Sequence, residues 1–327
     1  MSGAHRRPTE SWFIEQIVQR SEPPPSPEGP GDDGAVVVSA PDGKSVVTMD
    51  TMVEGVHFFP EHPPAWLGHK LLAVNLSDVA AMGAVPTHFL LSAAIPDWLG
   101  GPWWVAFLEG LCGYADRHCV QLVGGDVVRS SGPLVLTVTA WGVIHAERVL
   151  ERGGGSIGDI LMVRGALGRS LSGFQRWCHM RQHLSPDSLV ALEGEDIQAH
   201  LRPEPPLDAG PFALKEGASA GMDLSDGLSL DGQKLAIASN ISLEVFLENL
   251  PEDPVCAHLS PDTRCVAGED YGLLVLVPED RVPRFECVGF VRIGRAIPYE
   301  EERLFWIRGQ EPVTLKATPF LHFSSDD

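Results

Sequence analysis

A strand-like run of β-branched residues follows a glycine- and aspartate-rich segment near the N-terminus, and this order constrains the fold. The segment GPGDDG (29–34) has the glycine spacing of a dinucleotide-binding turn. Such a turn needs a strand before it and a helix after it. Here the proline-rich SEPPPSPE precedes the segment and the strand-like AVVVSA follows it. The order argues against a Rossmann fold and indicates, through Asp32 and Asp33, a loop that holds cations.

Strand-like and helical patterns alternate along the rest of the chain. The segments GAVVVSA and SVVTMDTMVEGVHF, joined by the turn PDGK, predict an antiparallel hairpin. Periodicity predicts helices at 9–20, 65–83, 102–118, 166–181, 205–219 and 231–239. Strands are predicted at 87–95, 120–128 with a turn at its glycines, 133–144, 241–248, 271–277 and 287–294. The glycine-rich stretch near 145–160 divides this pattern, so we expect two α+β domains, 1–145 and 146–327.

Composition narrows the function classes. The chain has 327 residues and a net charge of −20, which disfavours nonspecific binding to nucleic acid. Its six cysteines form no C-x-x-C pair, so we expect small buried thiols in a reducing compartment. The N-terminal residues lack the apolar core of a signal peptide, and no stretch is apolar enough to span a membrane. A cytoplasmic protein without nucleic-acid or membrane partners is therefore expected.

Acidic residues recur beside glycines or at the ends of predicted elements. Each alone could be an ordinary turn residue. Helical spacing, however, places Asp78 on the face shared with Leu71 and Met82, which should be buried, and Asp50 ends an apolar strand. Buried acids without basic neighbours in the sequence suggest metal ions. Oxygen ligands without a His/Cys cluster favour Mg²⁺ when phosphates share the coordination, and they indicate phosphoryl transfer on several ions.

Two other binding modes fit the sequence less well. A calcium module would need the D-x-D-x-D-G-x₅-E loop, whereas these acids are spread over the chain. A P-loop is also missing: the segment DGKSV supplies Gly43, Lys44 and Ser45, but the position five residues before Gly43 is Val38 and not the first glycine of a Walker A motif. Any nucleotide site is therefore of another kind.

Six segments, in this order and spacing, resemble the thiamine-monophosphate kinase family of the aminoimidazole-ribonucleotide synthetase-like superfamily: GPGDDGAVV, TMDTMVEGVHF, NLSDVAAMGAVP, VGGDVV, MDLSDGL and GEDYGLLV. The resemblance extends from about residue 10 to 323. It implies an α+β, two-domain fold with a helix-flanked N-terminal sheet that dimerises and a C-terminal α/β domain. It also implies a thiamine-phosphate kinase that transfers the γ-phosphate of ATP to thiamine monophosphate, with several Mg²⁺ ions, as a homodimer.

The resemblance also assigns roles to particular residues. It implies no general base, because the acceptor is already an anionic phosphate oxygen. The metal ligands that it implies are Asp33, Thr48, the carbonyl of Met49, Asp50, Asp78, Asp126, Asp223 and Asp226. The ATP contacts are Gly125, Asp126, Arg152, Ser225 and His118, and the substrate contacts are His57, Glu269 and Phe320.

The sequence departs from the family pattern at four positions. Val127 replaces the threonine that usually follows GGD, Pro30 stiffens the first loop, and Ala267 stands in the usual GGED segment. His118 stands where a nucleotide-contacting aromatic residue is expected. No departure removes an implied metal ligand.

Three sister families and a different class remain as alternatives. Selenophosphate synthetase needs a reactive cysteine near the N-terminus, but the first cysteine here is Cys112. A purine cyclo-ligase and a hydrogenase-maturation protein share the superfamily, although the quoted segments resemble the thiamine kinase more closely. The other class is a metal- and nucleotide-binding protein that has lost turnover. Release of ADP with thiamine monophosphate as acceptor distinguishes these alternatives.

Overall fold

A computed structural model describes residues 35–40, 43–181 and 194–318. The helices are α1 (Pro64–Ala81), α2 (Gly101–Arg117), α3 (Arg169–Met180), α4 (Glu195–Leu201), α5 (Ala209–Glu216), α6 (Leu228–Ala238), α7 (Pro261–Val266) and α8 (Val282–Glu286). The strands are β1 (Ala35–Ala40), β2 (Gly43–Val53), β3 (Val85–Pro96), β4 (Gln121–Ser130), β5 (Val135–Ile144), β6 (Ile160–Arg164), β7 (Ala220–Asp223), β8 (Ser242–Phe246), β9 (Leu273–Val277), β10 (Val291–Ile297), β11 (Leu304–Arg308) and β12 (Glu311–Val313).

The first sheet has the strand order β1-β2-β5-β3-β4. The predicted hairpin is confirmed, since β1 pairs antiparallel with β2 from Ala35↔Val47 to Ala40↔Gly43. The β3–β4 pair is parallel, so the sheet is mixed. The turn predicted at the glycines of VQLVGGDVV is wrong, because β4 continues through Gly124 and Gly125 as one strand. A Cβ at Gly125 would come within 1.9 Å of the Leu91 carbonyl oxygen, so glycine allows this close pairing.

Helix α1 is buried on nearly all sides and lies between the two sheets. Pro64 occupies its first turn, where the missing N–H costs nothing, and Gly83 follows its end with φ +82°. It packs closely on α2, since a Cβ at Gly68 would lie 2.1 Å from the Phe107 carbonyl oxygen. A helix in this position needs apolar residues all round rather than one apolar stripe. The polar residues that it does carry are therefore informative.

The second sheet has the strand order β12-β11-β8-β10-β6-β9-β7. Its pairs are antiparallel except for β8 with β11. Apolar residues of α6 cover one face and those of α5 and α8 cover the other. This region is thus a three-layer structure with a core on each side of the sheet.

The first sheet is covered on one face only. Leu91 and Val138 point toward α1 and are buried, whereas Ser92 and Thr137 point the other way and are exposed or half-buried. Exposed apolar side chains also lie on this uncovered face, among them Met49 and Val128. The predicted homodimer would use such a face.

The predicted helix at 9–20 lies outside the described residues. The division into domains at 145 and 146 and the cytoplasmic location stay predictions. Within the described ranges, no helix has both the length and the apolar character needed to cross a membrane.

Candidate active site

Helix α1 joins β2 to β7 through three residues of one turn, Asn75, Ser77 and Asp78. The Asp50 N–H donates to Asn75 Oδ1 at 3.0 Å, and Thr48 Oγ1 donates to Asp78 Oδ2 at 2.9 Å. On the other side, Ser77 Oγ donates to Asp223 Oδ2 at 2.9 Å. Three carboxylates that are far apart in sequence are thereby brought to one end of α1.

The local structure explains why these side chains point inward. Alternation along β2 turns Thr48 and Asp50 toward the helix, in register with buried Ala140 and Val138. β2 continues beyond its pairing with β1, so the Asp50 N–H is free to reach Asn75. Asp78 and Asp50 were expected to be buried, but Asp78 is half-buried and Asp50 is exposed. Asp223 is buried. Water, metals and phosphates can therefore reach Asp78 and Asp50.

Tyr271 lies among these carboxylates. Burial raises the pKa of its phenol well above the ordinary value, and the negative charges of Glu269, Asp50, Asp223 and Asp78 raise it further. The hydroxyl therefore stays protonated in the midst of acidic groups. Acidic residues from β2, α1, β7 and the segment before β9 thus act on the same phenol.

Two of the glycine–aspartate segments pair with each other. The Glu269 N–H donates to the Ser225 carbonyl at 2.7 Å, and the Tyr271 N–H donates to the Leu224 carbonyl at 2.8 Å. Glu269 and Tyr271 both have left-handed backbones, with φ of +62° and +50°. Such conformations are costly for residues other than glycine and cluster at functional sites. The pairing holds the DLSDG and GEDYG segments side by side.

Glu269 is held by two basic side chains. Lys70 Nζ lies 3.1 Å from Glu269 Oε1, and His200 Nδ1 lies 3.2 Å from Oε2. Burial opposes ionisation of the carboxyl, but the charge of Lys70 and the bond to His200 outweigh it and hold the Glu269 pKa well below its usual range. Burial and the charge of Lys70 in turn lower the pKa of His200, so its ring is neutral near pH 7.

Asp226 has a different environment from Asp223, although the two share a segment. Its Oδ2 lies 2.5 Å from Lys234 Nζ on α6, and Lys234 also bonds Asp231 Oδ1 at 3.0 Å. Burial raises the pKa of Asp231 to about 6. Asp223 instead points at Ser77, so the structure separates the two predicted metal ligands into neighbouring groups.

The structure places Gly125 and Asp126 apart from the other predicted metal ligands of the same chain. Asp126 pairs with Ser92, which pairs with Thr137, which pairs with Thr51. These residues form one row across the uncovered face, whereas Asp50 lies on the opposite face of β2. Asp126 is exposed there.

Three further predicted contacts lie at the ends of helices and strands. His57 Nδ1 accepts from the Val53 N–H at 3.1 Å in the turn after β2. His118 lies at the end of α2, with its ring 4.6 Å from that of Tyr114. His118 and Asp126 therefore lie at different points along the segment that leads into and forms β4. The Arg152 carbonyl accepts from Ser239 Oγ at 2.8 Å, near the end of α6.

Two predicted residues, Asp33 and Phe320, lie outside the described residues. Met49 exposes its side chain on the uncovered face, and the proposed role of its carbonyl stays a prediction. Among the residues that the structure describes, no three His, Cys, Asp or Glu side chains are grouped tightly enough to hold an ion by themselves. The donor set of Asp50, Asp78 and Thr48 consists of hard oxygen atoms, which suits Mg²⁺ when phosphate oxygens complete the coordination.

A cavity of about 540 Å³ is lined on one side by Asp270 and Gly272, which flank Tyr271. Four arginines line it: Arg117, Arg164, Arg169 and Arg202. Three of them pair with carboxylates of Glu204, Asp208 and Asp253 at 2.6 to 2.9 Å. Their charge is therefore balanced within the protein, and the cavity offers little net attraction for an anion.

The sequence did not single out Lys70, Asn75, Ser77, His200 or Tyr271. One signal was available, because Lys70 is a charged residue in the otherwise apolar stretch WLGHKLLAV. A lysine there must find a partner if the helix is buried. His200 gave no such signal, since histidine occurs in many settings.

Comparison with known proteins agrees with this fold. Residues 31–144 match the family model described as AIR synthase related protein, N-terminal domain. The solved structure of AaThiL complexed with AMPPCP and TMP superposes with a TM-score of 0.83 at 29% identity, covering 98% of this chain and 100% of that chain. The structure of HypE from E. coli, at 20% identity and a TM-score of 0.63 over 84% of this chain and 87% of that one, shares the fold alone. The chain thus has the AIR synthase-related fold, as predicted.

Curated relatives define the family more closely. The thiamine-monophosphate kinase of Salmonella typhimurium is 35% identical in an alignment 312 positions long, which covers 91% of this chain and 92% of the relative. That of Bacillus subtilis is 30% identical in an alignment 305 positions long, which covers 90% of this chain and 93% of the relative. The chain belongs to the thiamine-monophosphate kinase family, and the prediction of a thiamine-phosphate kinase is confirmed. The alternatives from sister families are thereby set aside.

Proposed function

We propose that this protein transfers the γ-phosphate of ATP in line to the phosphate of thiamine monophosphate, giving thiamine diphosphate, with several Mg²⁺ ions in the acidic centre. The observation that carries the proposal is the meeting of Asp50, Asp78 and Asp223 at the end of α1. The names of the relatives, and the AMPPCP and TMP in the AaThiL structure, support the two substrates.

The chemistry matches the composition of the centre. The acceptor phosphate oxygen is already a nucleophile, so no residue has to remove a proton from it. The main barrier is the repulsion between two highly negative phosphate groups, which Mg²⁺ offsets when bound. The carboxylates of Asp50, Asp78 and Asp223 would hold such ions, while Thr48 and Ser77 orient the carboxylates. Catalysis of this kind rests on positioning and charge rather than on covalent steps.

The remaining roles are proposed on the resemblance. Asp33, Asp126, Asp226 and the Met49 carbonyl would complete the metal ligands, with Gly125, Arg152, Ser225 and His118 on ATP. Glu269, His57 and Phe320 would contact thiamine monophosphate. The Glu269 N–H bonds the carbonyl of Ser225, two residues after Asp223, and its side chain is 36% exposed. A ligand can therefore reach it.

A homodimer is proposed to cover the open face of the first sheet. That face carries exposed Met49 and Val128 together with Asp126. Apolar groups beside a free strand edge are usually protected in native proteins. Sedimentation at micromolar concentration should show a dimer, and a monomer would count against this part of the proposal.

Coupled measurement of ADP release tests the function directly. With ATP, Mg²⁺ and thiamine monophosphate, we expect ADP and thiamine diphosphate in equal amounts. Omitting thiamine monophosphate or adding a chelator should reduce ADP release to background. ADP release without a second product, or none at all from folded protein, would support a nucleotide-binding protein without this turnover.

A further inference from the structure

Lys70 is fully buried in the middle of α1, although the helix around it is apolar. Its only ion pair among the described residues is with Glu269, at 3.1 Å. Burying an ammonium group is expensive unless a carboxylate compensates it. Nothing in the packing of α1 between α2 and the sheets calls for a charge at this position, so the lysine serves Glu269.

His200 holds the other oxygen of the same carboxylate. It lies on α4, is 7% exposed, and brings Nδ1 to 3.2 Å from Glu269 Oε2. Ser170 Oγ lies 3.1 Å from the same nitrogen. A hydrogen on Nδ1 therefore points at Glu269 and Ser170 together, which fixes the ring. Side chains of α1 and α4, which are distant in sequence, thus each contact one oxygen of Glu269.

The backbone of Glu269 is fixed as well. Its N–H donates to the Ser225 carbonyl at 2.7 Å, and its φ of +62° sets the direction of the side chain. The side chain nevertheless remains 36% exposed. The arrangement is a carboxylate that is immobilised from the protein side and open on the other.

We propose that Lys70 and His200 are positioning residues that hold the Glu269 carboxylate in place and aimed at the thiamine part of the substrate. The proposal rests on the proposed function, in which Glu269 contacts thiamine monophosphate. An ionised carboxylate only accepts hydrogen bonds. Its ligand must therefore present a donor or a positive charge, and thiamine monophosphate has both, an exocyclic amine and a thiazolium ring.

The inference predicts a selective kinetic defect. Lys70→Met keeps the length and apolar stem of the lysine but removes its charge. We expect this variant, His200→Gln and Glu269→Gln each to raise the KM for thiamine monophosphate about tenfold or more, as loss of a charge-assisted bond does. The KM for ATP should stay within about twofold, because none of these three side chains is among the proposed ATP contacts.

His62→Gln is the matched control. His62 is also a buried histidine of this region, but its Nε2 contacts the Leu201 carbonyl at 2.9 Å rather than Glu269. We expect both KM values to stay near those of the wild type. A general packing defect would raise them in this variant too.

Additivity decides between positioning and an independent role. If Lys70 acts through Glu269, the double variant Lys70→Met/Glu269→Gln should have the KM of Glu269→Gln alone. Additive losses, or equal rises in the two KM values, would overturn the proposal. If Lys70→Met does not fold, the same comparison of KM values is made with His200→Gln and with the double variant His200→Gln/Glu269→Gln. Failure of the proposed function itself would look different, since the wild type would then not turn over thiamine monophosphate.

Discussion

Two groups of carboxylates approach Tyr271, and they differ in what holds them. Asp78 and Asp223 accept from the hydroxyls of Thr48 and Ser77, which orient a carboxylate without cancelling its charge. Glu269 is bonded instead by the Lys70 ammonium and the His200 ring. The Thr48 and Ser77 hydroxyls are neutral donors, whereas Lys70 brings a positive charge to Glu269. The difference teaches that acids of one site can be distinguished by the kind of donor that holds them.

The largest expected effect concerns the first group. Asp78→Asn or Asp50→Asn should lower turnover at limiting Mg²⁺ by about 100-fold or more, because an amide is a weaker ligand than a carboxylate. Both proteins should stay folded, since asparagine has the same shape. Steady-state kinetics over a range of free Mg²⁺ checks this, with circular dichroism as the control for folding. A near wild-type rate for Asp78→Asn at limiting Mg²⁺ would show that Asp78 holds no metal.

The second expected effect concerns stability, and here the variant of Lys70 should be affected more than the variant of Asp78. Lys70→Met leaves the Glu269 carboxylate without its buried partner, and we expect a loss of about 2 kcal/mol in unfolding free energy, reduced from the cost of a fully buried pair because Glu269 is partly exposed. Asp78→Asn should leave the metal-free protein as stable as the wild type or slightly more stable, because it relieves repulsion between acids. Urea unfolding measures both. Equal losses in the two variants would erase the distinction between the groups.

The sequence predicted the acidic residues and the elements on which they lie. Helical spacing placed Asp78 on the face of α1 that was expected to be buried, and the apolar pattern placed Asp50 at the end of a strand. The GGD segment was misjudged as a turn, because two adjacent glycines are typical of turns and nothing local shows the close approach of Leu91 that requires one of them.

The partners of the acidic residues could not be predicted. Lys70 and Glu269 are almost 200 positions apart, and only the packing of α1 between the two sheets brings them together. The burial of Asp78 was overestimated for a related reason. Helical spacing identifies the face on which a residue lies, but it does not show whether solvent reaches that face near the end of the helix. Local patterns determine elements, whereas charge balance depends on tertiary contacts.

The smallest expected effect is a dependence of stability on pH. The folded-state pKa of Glu269 lies below its ordinary value of about 4.3. Its ionised form therefore stabilises the fold above that pH, and the contribution is lost as the pH falls through and below it. The stability gap between wild type and Glu269→Gln should narrow from pH 5 to pH 3 in urea titrations. A difference in unfolding free energy that stays constant over this range would mean that Lys70 and His200 do not favour the ionised form of Glu269.

Direct measurement of bound divalent metal tests the central claim most simply. Mn²⁺ can replace Mg²⁺ and be followed by electron paramagnetic resonance during titration of the protein with a non-hydrolysable ATP analogue. We expect Asp78→Asn to bind Mn²⁺ more weakly or in smaller number than the wild type, and Glu269→Gln to bind it as the wild type does. Unchanged binding by Asp78→Asn, or loss of binding by Glu269→Gln, would contradict the account.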